Sequence, residues 1–134
     1  MSDGEQKKTL ALVAEDDRVL ADILRMALVR AGLEVTVAHD GAKALGLAKS
    51  TAFDVIVSDF QMPRLNGQQL LSGVRAEGCS RDAVLILCSA KAFELDSEKL
   101  KLEFGLTAVF YKPFSLSELV QTLQKSLVGC GVTV

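Results

Sequence analysis

The run Phe53-Asp54-Val55-Ile56-Val57-Ser58-Asp59-Phe60-Gln61-Met62-Pro63 constrains this chain more than any other. Three consecutive β-branched residues, Val55 to Val57, predict a strand covered on both faces, as in the middle of a parallel sheet. Such a strand should continue apolar or close in a turn. This one ends on an acid, Asp59, and Pro63 excludes further pairing because it has no N–H to donate. An ionisable group at the carboxyl end of a central parallel strand lies where open α/β sheets bind ligands. A plainer role is also open, since Asp often caps a turn.

The rest of the chain alternates strands and helices around that run. Thr9 to Ala14 predicts a first strand that stops at Glu15-Asp16-Asp17. Leu20, Ile23, Leu24, Ala27, Leu28 and Ala31 mark one apolar helix face, with Gly32 as its stop. Leu33 to Ala38 predicts the second strand, and Asp40-Gly41 opens a small-residue helix through Ala44, Leu45 and Ala48. Phe53 to Ser58 is the third strand, followed by a helix over Gly67 to Glu77 with Leu70, Leu71 and Val74 inward. Ala83 to Cys88 is the fourth strand, Leu95 to Phe104 a helix of ragged periodicity, and Thr107 to Tyr111 the fifth strand. Ser115 and Glu118 have capping-box spacing and Phe114 with Leu119 that of a hydrophobic staple. The last helix buries Leu116, Leu119, Val120, Leu123 and Leu127. Five strands alternating with five helices predict an α/β fold, a single domain whose parallel sheet carries helices on both faces.

Composition removes several function classes. A chain of 134 residues with 49% hydrophobic content is enough for one core. Mean hydropathy is positive at +0.29, yet runs such as Ala83 to Cys88 are far too short to span a bilayer. Met1 to Lys8 is polar and lacks a signal-peptide centre, so a cytoplasmic protein with no membrane partner is expected. Net charge is −2 with no basic block, so no direct nucleic-acid contact is expected. Cys79, Cys88 and Cys130 have no metal-ligand spacing and cannot all pair; Cys88 reads as a small core residue. Residues 1–8 read as a flexible segment, 9–128 as the domain and 129–134 as a short tail.

Each strand leaves something at its carboxyl end. The first leaves Glu15, Asp16 and Asp17, the third Asp59, the fourth Ser89, and the fifth Lys112-Pro113. Right-handed crossovers bring all these ends to one edge of the sheet. Clustered carboxylates raise one another's pKa values unless a cation intervenes. Oxygen ligands without His or Cys suit a hard ion, and one or two carboxylates plus waters suit Mg²⁺. Asp17 is read as the cap of the following helix, which leaves Glu15 and Asp16 as the metal pair. A carboxylate nucleophile, Mg²⁺, a lysine at Lys112 and a hydroxyl at Ser89 are what phosphoryl transfer to Asp59 requires. His39, the lone histidine, reads as a surface residue rather than a phosphodonor.

Val13-Ala14-Glu15-Asp16-Asp17, Val57 to Pro63, Asn66-Gly67, Cys88-Ser89-Ala90 and Tyr111-Lys112-Pro113-Phe114 together resemble the motifs of response-regulator receiver domains of two-component signalling. The resemblance covers about Thr9 to Leu127. It implies a flavodoxin-like doubly wound sheet of order 2-1-3-4-5. It also implies a signalling phosphoacceptor rather than an enzyme, although one able to promote its own phosphorylation and dephosphorylation. Asp59 would take a phosphoryl group from a phosphohistidine on a sensor histidine kinase or histidine phosphotransfer protein. Mg²⁺, with Mn²⁺ able to substitute, would be held by Glu15, Asp16, Asp59 and the Gln61 backbone carbonyl. Ser89 and Lys112 would contact phosphoryl oxygens, Ala90 would keep the approach open, and the Lys112-Pro113 bond would be cis. Gln61 and Lys91 occupy positions that tune phosphoryl lifetime in the family. A downstream protein would read the face made by the fourth helix, fifth strand and fifth helix. Few residues follow Leu127, so the chain reads either as a stand-alone regulator or as a receiver cut from a larger regulator or hybrid kinase.

One position departs from the family pattern. Three residues before the lysine the family usually has an aromatic that swings inward on phosphorylation; here it is Val109. Strand alternation places Phe110 on the opposite face, so it cannot substitute. A receiver used only as a docking surface therefore stays open. An aspartyl-phosphate phosphatase would want a second acid where Gln61 stands. A flavin- or nucleotide-binding domain would want phosphate-cradling groups after the first strand, where Glu15 to Asp17 repel phosphate unless a metal intervenes.

Overall fold

A computed structural model describes residues 8–90 and 96–129. The elements run β1 (Leu10–Ala14), α1 (Arg18–Arg30), β2 (Glu34–Ala38), α2 (Gly41–Ser50), β3 (Val55–Asp59), α3 (Gly67–Ala76), β4 (Val84–Ser89), α4 (Ser97–Phe104), β5 (Ala108–Tyr111) and α5 (Leu116–Gly129). All strand pairs are parallel and the order is β2-β1-β3-β4-β5. β3 is buried at every position, as its β-branched run requires of a central strand.

Strand alternation divides the core between the two faces. Leu12, Ile56, Leu85 and Leu87 point to one side, where α2, α3 and α4 cover them with Ala44, Leu70, Leu71, Val74, Leu100 and Phe104. Val13, Val55, Val57, Ile86 and Cys88 point to the other, under Leu24 and Leu28 of α1 and Leu119, Leu123 and Leu127 of α5. Those three α5 leucines are fully buried, each contributing roughly 2 kcal/mol of transfer free energy. The apolar periodicities of α3 and α5 thus point inward as expected.

Local chemistry sets the ends. Asp17 caps α1, its carboxylate accepting from Val19 N and Leu20 N, and Gly32 follows the helix at φ 96°, a left-handed conformation costly for any residue with a Cβ. Asp40 caps α2 through Lys43 N. Ser115 Oγ accepts from Glu118 N at the start of α5. A complete reciprocal capping box stands elsewhere, at α3, where Asn66 and Gln69 each bond the other's backbone N–H.

Three expectations need correction. Phe53 and Asp54 precede β3 rather than belonging to it: Phe53 N donates to the Ser80 hydroxyl instead of a strand carbonyl, and the Asp54 carboxylate accepts from Leu10 N at the start of β1. Ile23 is not inward; with Val19, Met26 and Val29 it lies on the outer side of α1, because that helix carries more apolar residues than one buried stripe accommodates. α5 runs on to Gly129, where a tail was expected. Leu95, Lys91 and Cys130, each singled out in the sequence, lie outside the described residues.

Candidate functional site

The site follows from register and parity. β1 lies between β2 and β3, so at its carboxyl end the chain diverges to opposite sides of the sheet and leaves a crevice. Ala11 and Val13 face the α1–α5 side, and so does Glu15, the next residue of that parity; Val55 and Val57 carry Asp59 to the same side. Ala14 pairs with Ser58, which sets Glu15 beside Asp59 one step further on. On β5, Phe110 has that parity and so does Lys112 two residues later. Three charged groups from three strands therefore converge on one face of one edge.

Lys112 Nζ lies 3.1 Å from both Glu15 Oε1 and Asp59 Oδ1. Glu15 Oε2 accepts from Asp17 N, so the loop that caps α1 also aims this carboxylate. One oxygen each from Glu15, Asp16 and Asp59 lies within 4.8 Å of the others, with Glu15 and Asp59 buried and Asp16 exposed. Burial pushes Glu15 up to about 7; Asp59 adds to the rise, while the Asp17 N–H and Lys112 oppose it. Burial also raises Asp59, against the pull of Lys112 and with a push from Asp16. Burial disfavours the Lys112 ammonium, but Glu15 and Asp59 outweigh it and hold its pKa above the ordinary value. One lysine thus serves two buried carboxylates while a third adds repulsion. Such an oxygen-only set fits a hard divalent cation, which would relieve the excess negative charge.

The other sequence-predicted residues are placed as follows. Ser89 is fully buried at the end of β4, in register with Tyr111, and its carbonyl accepts from Lys112 N at 2.8 Å. Ala90 and Gln61 are exposed at the same edge. The Lys112-Pro113 peptide is cis. Val109 is half-buried and packs with the α2–α4 core, whereas Phe110 turns to the opposite face against Phe114, ring centroids 6.0 Å apart. His39 is not a free surface side chain: it is half-buried, and its Nδ1 sits 3.1 Å from the Glu15 carbonyl. A carbonyl only accepts, so Nδ1 carries the proton in that bond.

Two residues named in the sequence motifs wall the site, and Cys88 is the core residue expected. Cys88 lies in register with Asp59, and burial pushes its thiol up to about 12, so it is an inert wall. Gly67, at the start of α3, packs directly on the exit of β3: a Cβ there would stand 2.7 Å from the Asp59 carbonyl oxygen and 2.8 Å from Phe60 Cα. Gly67→Ala should therefore cost about 1–3 kcal/mol of stability in urea denaturation and also displace Asp59. An unchanged midpoint would mean that the loop yields freely.

A flavodoxin-like α/β domain with carboxylates and a lysine gathered at its switch-point edge is the class that fold and site define. Residues 11–124 match the response regulator receiver domain model, and the chain belongs to that family of two-component phosphoacceptors. It is 35% identical over 133 residues to the transcriptional regulatory protein PrrA of Mycobacterium leprae, covering 99% of this chain and 55% of that relative. The chain spans about half the length of the curated relatives it matches. Among solved structures, the receiver domain of the Pseudomonas aeruginosa sensor histidine kinase PA1611, determined with magnesium in its active-site cleft, is 28% identical with a TM-score of 0.78, covering 89% of this chain and 97% of that one. The Francisella response regulator 1452 receiver domain is 36% identical with a TM-score of 0.73, covering 89% and 98%. Among the described residues no helix is long and apolar enough to cross a membrane.

Proposed function

We propose that Asp59 accepts a phosphoryl group from a phosphohistidine on a partner kinase or phosphotransfer protein, in the presence of Mg²⁺, and that the resulting change alters a protein-binding surface. The observation that carries this reading is Lys112 Nζ, 3.1 Å from both Asp59 and Glu15. An Asp59 oxygen attacks phosphorus; the new O–P bond forms as the P–N bond breaks, and its electron pair returns to the donor imidazole. Lys112 supplies positive charge beside the attacking carboxylate, Ser89 a hydroxyl donor, and Ala90 an unobstructed approach. Glu15, Asp16, Asp59 and the Gln61 backbone carbonyl would hold Mg²⁺, which supplies charge neutralisation at the phosphoryl oxygens. Gln61 and Lys91 would set how long the phosphoryl group lasts. The chain acts as a signalling acceptor rather than a turnover enzyme.

The test is intact mass after incubation with Mg²⁺ and acetyl phosphate. One acid-stable, base-labile phosphoryl group is expected, and no mass gain would remove the reading. Asp16→Ala should weaken Mg²⁺ binding by about tenfold or more, since it deletes one of few charged ligands. Unchanged affinity in titration would take Asp16 out of the metal site.

Val109 bears on output rather than chemistry, because it packs in the α2–α4 core rather than at the carboxylates. Val109→Tyr should change partner binding several-fold while leaving the phosphorylation rate within about twofold. A large change in rate with unaltered binding would refute that separation.

A further inference from the structure

Arg75, in the last turn of α3, donates to backbone carbonyls from all three nitrogens of its guanidinium. Nε donates to Phe104 O at 2.6 Å and Nη2 to Gly105 O at 3.3 Å, the two residues that close α4. Nη1 donates to Arg81 O at 2.7 Å and Ala83 O at 2.8 Å, on the segment that enters β4. A planar fork of five N–H donors spans two carbonyl pairs, which a lysine ammonium cannot reproduce. Burial disfavours the charge and Asp82 favours it, but a guanidinium stays ionised near neutral pH.

Only the first turn of α4 is lightly covered. Its buried residues are Leu100 and Phe104, and Ser97, Glu98 and Lys99 in the first turn are not buried. Asp96 caps that turn through Lys99 N, a bond within the helix rather than to the body. The helix is thus held by Leu100 and Phe104 in the core and by Arg75 at its last turn, while its first turn stands at the sheet edge that carries Ser89 and Asp59. Leu102, on the outer side of α4, is 86% exposed.

We propose that Arg75 is a pivot: it binds the end of α4 and the entry to β4 into one unit, so that α4 swings from its first turn about Phe104 and Gly105. Only the trigger of that swing rests on the phosphoacceptor reading above. The pin itself belongs to the unphosphorylated protein.

Residue-resolved NMR on the full chain tests both parts. In the wild type the Arg75 Nε–H should exchange slowly with solvent, unlike those of exposed arginines. In Arg75→Lys, amide exchange over residues 102–106 and 83–85 should rise by about tenfold or more, with Val13 and Val57 within about threefold of wild type. A uniform rise across the domain would make Arg75 a general stabiliser and overturn the pivot, as would no rise at 102–106. Should Arg75→Lys fail to fold, the wild type still decides. On adding Mg²⁺ and acetyl phosphate, shift changes over 97–100 should exceed those over 103–106, with the Nε signal retained. Loss of that signal, or larger changes at 103–106, would overturn the pivot. If Asp59 gains no phosphoryl group the phosphoacceptor reading falls, and Nε–H exchange in the unmodified protein judges the pin alone: fast exchange refutes it and slow exchange supports it.

Discussion

Asp59→Asn should abolish phosphoryl uptake, lowering it by about a hundredfold or more, because a carboxamide oxygen is a poor nucleophile for phosphorus. The substitution keeps the size of the side chain, and Lys112 retains Glu15 as a partner at 3.1 Å, so the fold should persist. Removing a buried charge whose pKa is already raised should even increase the melting temperature of the metal-free protein. Intact mass after treatment with Mg²⁺ and acetyl phosphate separates the outcomes. A base-labile phosphoryl group that survives on the variant would place the acceptor elsewhere, and Asp16 and Glu15 would be the next carboxylates to examine.

The second large effect is one of pH. Glu15 has a pKa of about 7 in the folded protein against 4.5 for the ordinary carboxyl. Between those values the folded state holds a proton that the unfolded state has released, so stability falls as pH rises. The gap corresponds to roughly 3 kcal/mol, fully present below about pH 4.5 and lost as pH climbs through about 7. Asp59, also raised, works in the same direction, while Lys112, raised above its usual value, keeps its contribution throughout this window. Urea midpoints of the metal-free protein at pH 5 and pH 7.5 should therefore fall more in the wild type than in Glu15→Gln. Equal slopes in the two proteins would mean that Glu15 titrates normally. Saturating Mg²⁺ should reduce the wild-type loss, since ion binding competes with the proton for the same carboxylates.

Much of this molecule is legible in its sequence. The β-branched run ending at Asp59, the acids after β1 and the Lys112-Pro113 pair are local signals, written in consecutive residues, and they led to the sheet edge where the site lies. The cap at Asp17 was legible for the same reason. The Asn66–Gln69 capping box stands in the sequence as an Asn with Gln three residues on, a local pattern that the fold alone makes reciprocal. Ile23 misled because α1 has apolar residues around more than half its circumference, so periodicity alone did not select the buried stripe.

Alternation, turn chemistry and residue type, which act over a few neighbours, determined the α/β class, the number of elements and the identity of the acids. Only the tertiary structure decided how those groups meet. Lys112 reaches Glu15 across 97 positions of chain, and the contact exists because β1, β3 and β5 end at one edge with matching parity, Lys112 lying two residues beyond the position level with Asp59. His39 resting on the Glu15 carbonyl, Gly67 pressed on Asp59, and Arg75 spanning α3, β4 and α4 are equally nonlocal. The raised carboxyl pKa values are nonlocal too, since burial is a property of the packed edge and not of any residue in it. Local patterning chooses the elements, but long-range pairing sets the distances, and charge, proton affinity and strain all depend on distance.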